Sequence, residues 1–161
     1  MIYIVCGVSG TGKTTIGKTL ASQLDVPFYD ADDFHSENNI KKMQSGTPLD
    51  DSDRINWLKT LSSKILQWER DGGAVLACSA LKELYRQLLV PVAETPVRWI
   101  VLEGDKEVIL ERMKARKGHF FDAKMLDSQF EIYERPSYGL ILNVSESPDE
   151  LIGKIFKEIN T

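Results

Sequence analysis

The sequence predicts an α/β protein with a doubly wound, mostly parallel five-stranded sheet. Five apolar runs alternate with segments of helical periodicity, which is the order of elements in parallel α/β folds. The runs span residues 2–6, 26–30, 74–78, 97–102 and 140–144. A glycine-rich loop separates the first run from the first helical segment. The 161 residues suffice for one buried core but not for two ordinary domains, so we expect one domain over residues 1–161.

The composition is that of a globular protein that handles small molecules. Its hydrophobic content is 42%, its charged content is 27%, and its formal net charge of −4 gives no overall attraction to nucleic acid or to an anionic membrane. No apolar stretch approaches the roughly 20 residues of a membrane span, and no basic and apolar leader precedes the first strand. We therefore expect a cytoplasmic protein without a nucleic-acid or membrane partner. Cys6 and Cys78 fall in predicted buried strands and are expected to be core residues.

The first strand leads into a phosphate-binding motif. Residues 7–14 match the pattern G-x-x-x-x-G-K-[ST], in which glycines let backbone amides approach phosphate oxygens. The lysine reaches the β- and γ-phosphates, and the threonine can ligate Mg²⁺. The predicted ligands are ATP and Mg²⁺, and the predicted nucleotide-binding residues are Gly7, Gly10, Thr11, Gly12, Lys13, Thr14 and Thr15. The alternative is a glycine turn that binds nothing, and the flanking strand and helix argue against it.

A cluster of carboxylates follows the predicted second strand. Ligands of open parallel sheets collect at the carboxyl ends of the strands, so these carboxylates are expected beside the phosphate loop. Asp32 is the predicted catalytic residue, because it could accept the proton of an attacking hydroxyl or hold a water bound to Mg²⁺. For Asp30 and Asp33, a role in a turn and helix cap is an equally good interpretation. His35 by itself is a weak signal.

The serine side chains predicted to cap helices are Ser36, Ser79 and Ser147.

Two sets of cations accompany the next helices. Arg54 falls in the first turn of a long helix, where the helix dipole disfavours a cation. It therefore indicates a specific anionic partner or, equally, a pair with Asp50 or Asp51. Lys82 and Arg86 lie four residues apart on one helical face and could bind a carboxylate, although two solvated charges are the other interpretation.

A basic segment follows the fourth strand. Arg112 and Arg116 lie four residues apart on the polar face of a helix, and basic side chains continue beyond them. With Gly118 as a hinge, a mobile lid around residues 114–124 is expected to close over bound ATP. A solvated basic loop is the alternative.

Five blocks along nearly the whole chain resemble the gluconate kinase family. They are Gly7-Val8-Ser9-Gly10-Thr11-Gly12-Lys13-Thr14-Thr15; Asp30-Ala31-Asp32-Asp33-Phe34-His35; residues 39–58; Cys78-Ser79-Ala80-Leu81-Lys82 with Tyr85-Arg86; and Lys114-Ala115-Arg116-Lys117-Gly118-His119-Phe120-Phe121. The first block occurs in many kinases, and the last two are far more specific. The resemblance implies phosphoryl transfer from ATP to D-gluconate to give 6-phospho-D-gluconate, with Mg²⁺, a nucleoside-monophosphate-kinase-like fold and commonly a homodimer.

The motif and the resemblance together assign roles to individual residues. The expected catalytic residues are Lys13, Asp32 and Arg116, and Arg112 and Arg116 join the nucleotide-binding set. The expected substrate-binding residues are Asp32, His35, Arg54, Lys82, Arg86 and His119. The expected Mg²⁺ ligands are Thr14 and, through a water, Asp32. No family block covers residues 134–143 and Ser36 stands where the family often has proline, so adenine contacts near the C-terminus are not assigned.

Two other functions share some of these sequence features. A shikimate kinase would share the fold and the loop but carry a glycine cluster after the third strand, where this chain has Cys78-Ser79-Ala80. A nucleotide-binding sensor without turnover would lack a base and a lid, whereas this chain has Asp32 and the basic segment. Both alternatives are disfavoured.

Overall fold

All five predicted strands lie in one sheet, and every strand pair in it is parallel. The computed structural model describes residues 1–91, 95–115 and 123–161. The strands are β1 (Ile2–Cys6), β2 (Phe28–Asp30), β3 (Ala74–Ala77), β4 (Val97–Glu103) and β5 (Leu140–Asn143). Their order across the sheet is β2-β3-β1-β4-β5. The predicted sheet is confirmed and, within the described residues, it is wholly parallel.

Helices cover both faces of this sheet. They are α1 (Lys13–Leu24), α2 (Glu37–Gln44), α3 (Asp51–Arg70), α4 (Glu83–Leu89), α5 (Lys106–Ala115), α6 (Ala123–Ile132) and α7 (Pro148–Ile159). The step from β1 to β2 runs in the opposite direction across the sheet from the later steps, so right-handed crossovers place α1 and α3 on opposite faces. Accordingly, α1 packs against α7, while α3 packs against α4. No helix in the described ranges is long and apolar enough to cross a membrane.

The strands and one stripe of each long helix supply the core. Every residue of β1 and β3 is buried, as expected for strands covered on both faces. From α3, the apolar positions Leu58, Leu61 and Ile65 are buried at helical spacing. Cys6 and Cys78 are buried, as predicted. Burial raises the pKa of each thiol to about 12, so both are protonated at neutral pH.

The strand register brings three carboxyl ends together. Val5 of β1 pairs with Ala77 of β3, and Ala77 also pairs with Asp30 of β2. The phosphate loop after β1, the 3₁₀ turn Ala31–Phe34 after β2 and the segment after β3 therefore leave the sheet side by side. This is the edge at which open parallel sheets bind ligands.

Two of the predicted helix caps are confirmed and one is wrong. Ser36 and Ser147 each accept a hydrogen bond from the backbone amide three residues on. Ser79 does not cap α4, because α4 begins later and Lys82 is the extended residue before it. Ala80 has a left-handed φ of 42°, which turns the chain off a helical path after Ser79.

Arg86 of α4 is a buried residue that hydrogen-bonds to two segments distant from each other in the chain. Its side chain is only 2% exposed. Nη1 and Nη2 donate to the backbone carbonyls of Ala80 at 2.7 Å and Glu134 at 2.8 Å. Nε donates to Glu83 Oε2 at 3.0 Å and to Tyr138 Oη at 3.1 Å. A buried guanidinium is tolerated only when its donors are satisfied, so Arg86 holds the segments before α4 and after α6 together.

We predict that Arg86→Met will lower the free energy of unfolding by about 3 kcal/mol, because buried carbonyls lose their donors. Urea unfolding measures the loss. Arg135→Met is the matched control, since Arg135 is 64% exposed and pairs with Glu103 at the surface. Its loss should stay below about 1 kcal/mol. Equal losses in the two variants would contradict the internal role of Arg86.

Candidate active site

A cavity of about 230 Å³ lies at the carboxyl edge of the sheet. Its lining residues are Ser9, Gly10, Gly12, Lys13 and Thr14 of the phosphate loop, Asp30 and Asp32 at the end of β2 and after it, and Ala77, Cys78 and Ser79 at the end of β3 and after it. The cavity thus brings Asp32 beside predicted residues of the phosphate loop, from which it is distant in the chain. The predicted site residues among the lining are Gly10, Gly12, Lys13, Thr14 and Asp32. Polar groups from two strand ends and a helix N-terminus face one space.

The phosphate loop has a conformation that glycine permits. Gly10 and Gly12 have φ values of 81° and 93°, in the left-handed region that other residues rarely adopt. Gly12 directly precedes α1 and supplies no side-chain cap, so side chains do not cover the first amides of that helix. Thr11 is buried, and its hydroxyl donates to the Val8 carbonyl at 2.9 Å. Its side chain therefore braces the loop, and its backbone is the part left for a ligand. Thr15 is exposed on α1.

The Lys13 ammonium is folded back on its own loop. Nζ donates to the carbonyls of Gly7 at 2.9 Å and Val8 at 3.0 Å. Burial lowers the pKa of Lys13, and the nearby Asp32 carboxylate opposes that shift. Hydrogen bonds to two neutral carbonyls offset only part of the cost of burying the charged ammonium. Negatively charged phosphate oxygens are therefore stronger partners for it.

Asp30 joins the site beside Thr14. Thr14 Oγ1 lies 3.5 Å from Asp30 Oδ2, and Asp30 Oδ1 accepts a hydrogen bond from the backbone amide of Asp32 at 3.0 Å. Asp30 is thus both a turn cap and a wall of the cavity. Magnesium prefers oxygen ligands and takes few from protein when phosphates are present, so Thr14 and Asp30 fit it. No cluster of three metal-binding side chains occurs in the part of the chain that the structure describes.

Asp32 stands at the mouth of the cavity. Its side chain is 80% exposed, yet the protein around it partly desolvates the carboxylate and raises its pKa. The negative charge of Asp30 adds to this shift, and the charge of Lys13 opposes it. A carboxylate with a raised pKa is a better proton acceptor near neutral pH than an ordinary aspartate.

His35 is a neutral side chain packed behind Asp32. It stacks on Trp57 with ring centroids 4.1 Å apart, and burial lowers its pKa to about 4, with the charge of Arg54 adding to the effect. Asn39 Nδ2 donates to the Asp53 carbonyl at 2.9 Å, and it lies 3.3 Å from His35 Nδ1. Since Nδ2 is a donor, Nδ1 accepts and the imidazole proton sits on Nε2.

The tautomer decides what His35 can do. Nε2 is 3.8 Å from Asp32 Oδ1, and a neutral imidazole makes this contact dipolar and not ionic at neutral pH. The Nε2–H group therefore points toward the side of the site where Asp32 stands.

The cations Arg54 and Lys82 come together in a second pocket, of about 490 Å³. Arg54 Nη1 donates to Tyr85 Oη at 2.8 Å, and Tyr85 Oη donates to Asp51 Oδ1 at 2.5 Å. Lys82 Nζ donates to the same Asp51 oxygen at 3.1 Å. Hydrogen bonds from Tyr85 and Lys82 lower the pKa of Asp51. One carboxylate thus already sits between the two cations.

Two other predicted site residues, Arg86 and Arg112, do not line this second pocket. Arg86 is occupied by the internal contacts described above, so the expected pairing of Lys82 and Arg86 on one ligand is not formed. Arg112 donates through Nη2 to the backbone carbonyl of Val144, after β5. Arg116, like His119, lies outside the described residues, as does most of the predicted lid.

Sequence reasoning missed four residues that the structure places at these sites. They are Asp30, Asp51, Tyr85 and Gln129, which hydrogen-bonds to Ser9. Asp30 and Asp51 carry a signal, since each is a candidate cap or ion-pair partner, and Tyr85 falls in a block that resembles the gluconate kinase family. Gln129 carries no local signal, because its partner Ser9 is distant in the chain.

Comparison with known proteins relates this site to characterised families. Residues 2–136 match the AAA domain family. A probable gluconokinase of Dictyostelium discoideum is 42% identical over an alignment of 169 positions, which covers 97% of this chain and 84% of that protein. The thermoresistant gluconokinase of Escherichia coli (strain K12) is 44% identical over 136 residues, which cover 84% of this chain and 77% of that protein.

Comparison with solved structures gives the same family. A gluconokinase from Sinorhizobium meliloti 1021 matches with a TM-score of 0.86 and 31% identity, over 98% of this chain and 94% of that chain. A shikimate kinase from Aquifex aeolicus has a TM-score of 0.59 and 17% identity, which shows a shared fold alone. With a phosphate loop whose lysine and threonine face an acidic strand end, and with identities above 40% over most of its length, the chain belongs to the gluconokinase family of P-loop small-molecule kinases.

Proposed function

We propose that this enzyme transfers the γ-phosphoryl group of ATP to the 6-hydroxyl of D-gluconate. The observation that carries the proposal is that the fold holds both a phosphate cavity with Lys13 and a cationic pocket with Arg54 and Lys82. His35 Nε2 lies 3.8 Å from Asp32 Oδ1 of the cavity lining, and burial, with the charge of Arg54 contributing, lowers the pKa of His35. A substrate with a carboxylate at one end and a hydroxyl at the other is suited to both the cavity and the pocket.

The phosphate loop and Lys13 would hold ATP. The amides at the start of α1 and the loop backbone donate to phosphate oxygens, and Lys13 exchanges its two carbonyl partners for them. Thr14 and Asp30 would hold Mg²⁺, which when bound neutralises charge on the β- and γ-phosphates. Arg112 contacts the segment after β5 and would face the nucleotide from that side.

Asp32 would accept the proton of the attacking hydroxyl. Its exposed position lets a substrate approach, and its raised pKa suits a base that works near neutral pH. His35, with its proton on Nε2, would donate a hydrogen bond beside Asp32 and help to orient the sugar acid.

The cationic pocket would bind the carboxylate of the sugar acid. Lys82 and Arg54 supply the positive charge, and Tyr85 connects them through its hydroxyl and its ring. The carboxylate of Asp51 keeps the two cations in place before the substrate arrives. Arg86 would support the pocket from the interior.

Three further features belong to this proposal. A lid around residues 114–124, carrying Arg116 and His119, would close over the phosphates and exclude water. The enzyme would act in the cytoplasm as a homodimer, a state that sedimentation measurements can test. Residues 1–161 would act as one domain.

The direct test is ADP release with Mg-ATP and a panel of acceptors. Gluconate should support turnover well above related aldonates, shikimate and nucleoside monophosphates. Lys13→Ala is the negative control, because it removes charge stabilisation of the transferring group. Turnover with shikimate or a nucleotide but not with gluconate would refute the assignment.

We predict that Asp32→Asn will bind both substrates but lose about 10²-fold in kcat, the low end for a general base, because the transition state is largely dissociative. Since the base must be ionised, the raised pKa of Asp32 places the acid limb of kcat/KM above the ordinary aspartate pKa of about 4. The residual activity of the variant should lack that limb. Asp71→Asn, an exposed change at the C-terminal end of α3, is the control and should leave the acid limb unchanged.

Retention of kcat within a few-fold of the parent in folded Asp32→Asn would assign the proton to another group. Asp30 would then be the next carboxylate to test, because it also lines the cavity.

We predict that Lys82→Met will raise the KM for gluconate at least about tenfold and leave the KM for ATP nearly unchanged, because it removes a charged contact from one substrate only. Lys59→Met, an exposed change on α3, should alter neither constant. Equal increases in both KM values would remove Lys82 from the acid-binding pocket.

A further inference from the structure

Gln129 of α6 makes two hydrogen bonds to a single residue of the phosphate loop. Its Oε1 accepts from the backbone amide of Ser9 at 2.7 Å. Its Nε2 donates to Ser9 Oγ at 2.9 Å. Both residues are half-buried, and Ser9 lines the phosphate cavity. The pair therefore ties α6 to the wall of the nucleotide site.

The chemistry of the two groups sets the direction of both bonds. A backbone N–H can only donate, so the carbonyl oxygen of the Gln129 amide must face it. The amide NH₂ group then faces Ser9 Oγ, and it can only donate. The Ser9 hydroxyl oxygen is thus an acceptor in this pair, and its own proton is left for another acceptor. A phosphate oxygen in the cavity is an acceptor of the right kind.

The loop tip is held from two sides. A methyl group on Gly10 would lie 2.7 Å from the side chain of Met113 on α5, so the loop packs closely there. On the other side, Gln129 holds Ser9 from α6. A donor fixed in this way needs no reorganisation when negative charge develops on the transferring group.

We propose that Gln129 is a positioning residue, which directs the Ser9 hydroxyl proton toward the phosphoryl group that is transferred. The inference rests on the proposed kinase function and adds a role for α6 to it. The hydroxyl stabilises developing charge, so its loss lowers kcat more than it weakens the binding of gluconate.

The first test compares Gln129→Met with Ser9→Ala. Methionine keeps the size of the side chain and removes both hydrogen bonds. Each variant should lose about 10- to 100-fold in kcat, as expected for a hydrogen bond to a charged group, with an unchanged KM for gluconate. Because the two residues act as one unit, the double variant should lose no more than either single variant. A merely structural tie would instead lower the melting temperature and leave kcat near that of the parent.

The second test asks whether Gln129 only holds the Ser9 backbone in place or also sets the direction of the Ser9 hydroxyl proton. Gln129→Glu retains an acceptor for the Ser9 amide, but its carboxylate draws the hydroxyl proton toward residue 129 and away from the cavity. We expect kcat to fall as far as in Gln129→Met. The effect of the added charge alone is measured by introducing Gln129→Glu into the Ser9→Ala variant, where kcat should not fall any further.

Three results would overturn the inference: a kcat within about twofold of the parent in Gln129→Met, additive losses of kcat in the double variant, or a further loss of kcat when Gln129→Glu is added to Ser9→Ala.

A failure of the proposed function is distinguishable, because the parent itself would then show no gluconate-dependent ADP release. In that case ATP titration decides: the parent should bind ATP about tenfold more tightly than Gln129→Met, and equal affinities would overturn the inference.

Discussion

The close approach of the glycine loop to its neighbours is the constraint on which the site depends. A methyl group on Gly7 would lie 2.4 Å from the backbone oxygen of Leu102 in β4, a distance at which atoms overlap. The chain can therefore leave β1 only with glycine at this position. This departure carries the loop over the carboxyl edge and sets the position of Lys13, whose ammonium folds back onto the Gly7 carbonyl. The phosphate cavity follows from that geometry.

Although the chain is acidic overall, the cations that line its two pockets can attract small anions. The formal net charge is −4, yet Lys13 lies in the first cavity and Arg54 and Lys82 lie in the second pocket. In the second pocket, one aspartate neutralises part of this charge and holds the cations in a common place. A small anion can thus be attracted by two short-range fields in a protein that repels large polyanions.

The features that depend on local sequence were predictable, and those that depend on distant contacts were not. The bounds of β1 follow from one apolar run, and the cap at Ser147 follows from its side chain and the amide of Glu150. By contrast, nothing in the sequence around Gln129 indicates its contact with the phosphate loop, because its partner Ser9 lies 120 residues away. Arg86 had the spacing of a surface cation, and only the packing of a distant segment shows that it is buried. The left-handed backbone of Ala80 has no sequence signal either, since alanine does not favour it.

The two pockets are built from different parts of the fold. The phosphate cavity is formed by the ends of β2 and β3 and the loop after β1. By contrast, Arg54 lies in the first turn of α3 and Lys82 directly precedes α4, and these two helices pack on each other. Under the proposed function, acceptor choice and transfer chemistry are therefore separable in this architecture. Substitutions on the α3–α4 pair would change which acid is bound without touching the residues proposed for phosphoryl transfer at the strand ends, and this would give the fold a route to new acceptors without loss of its reaction.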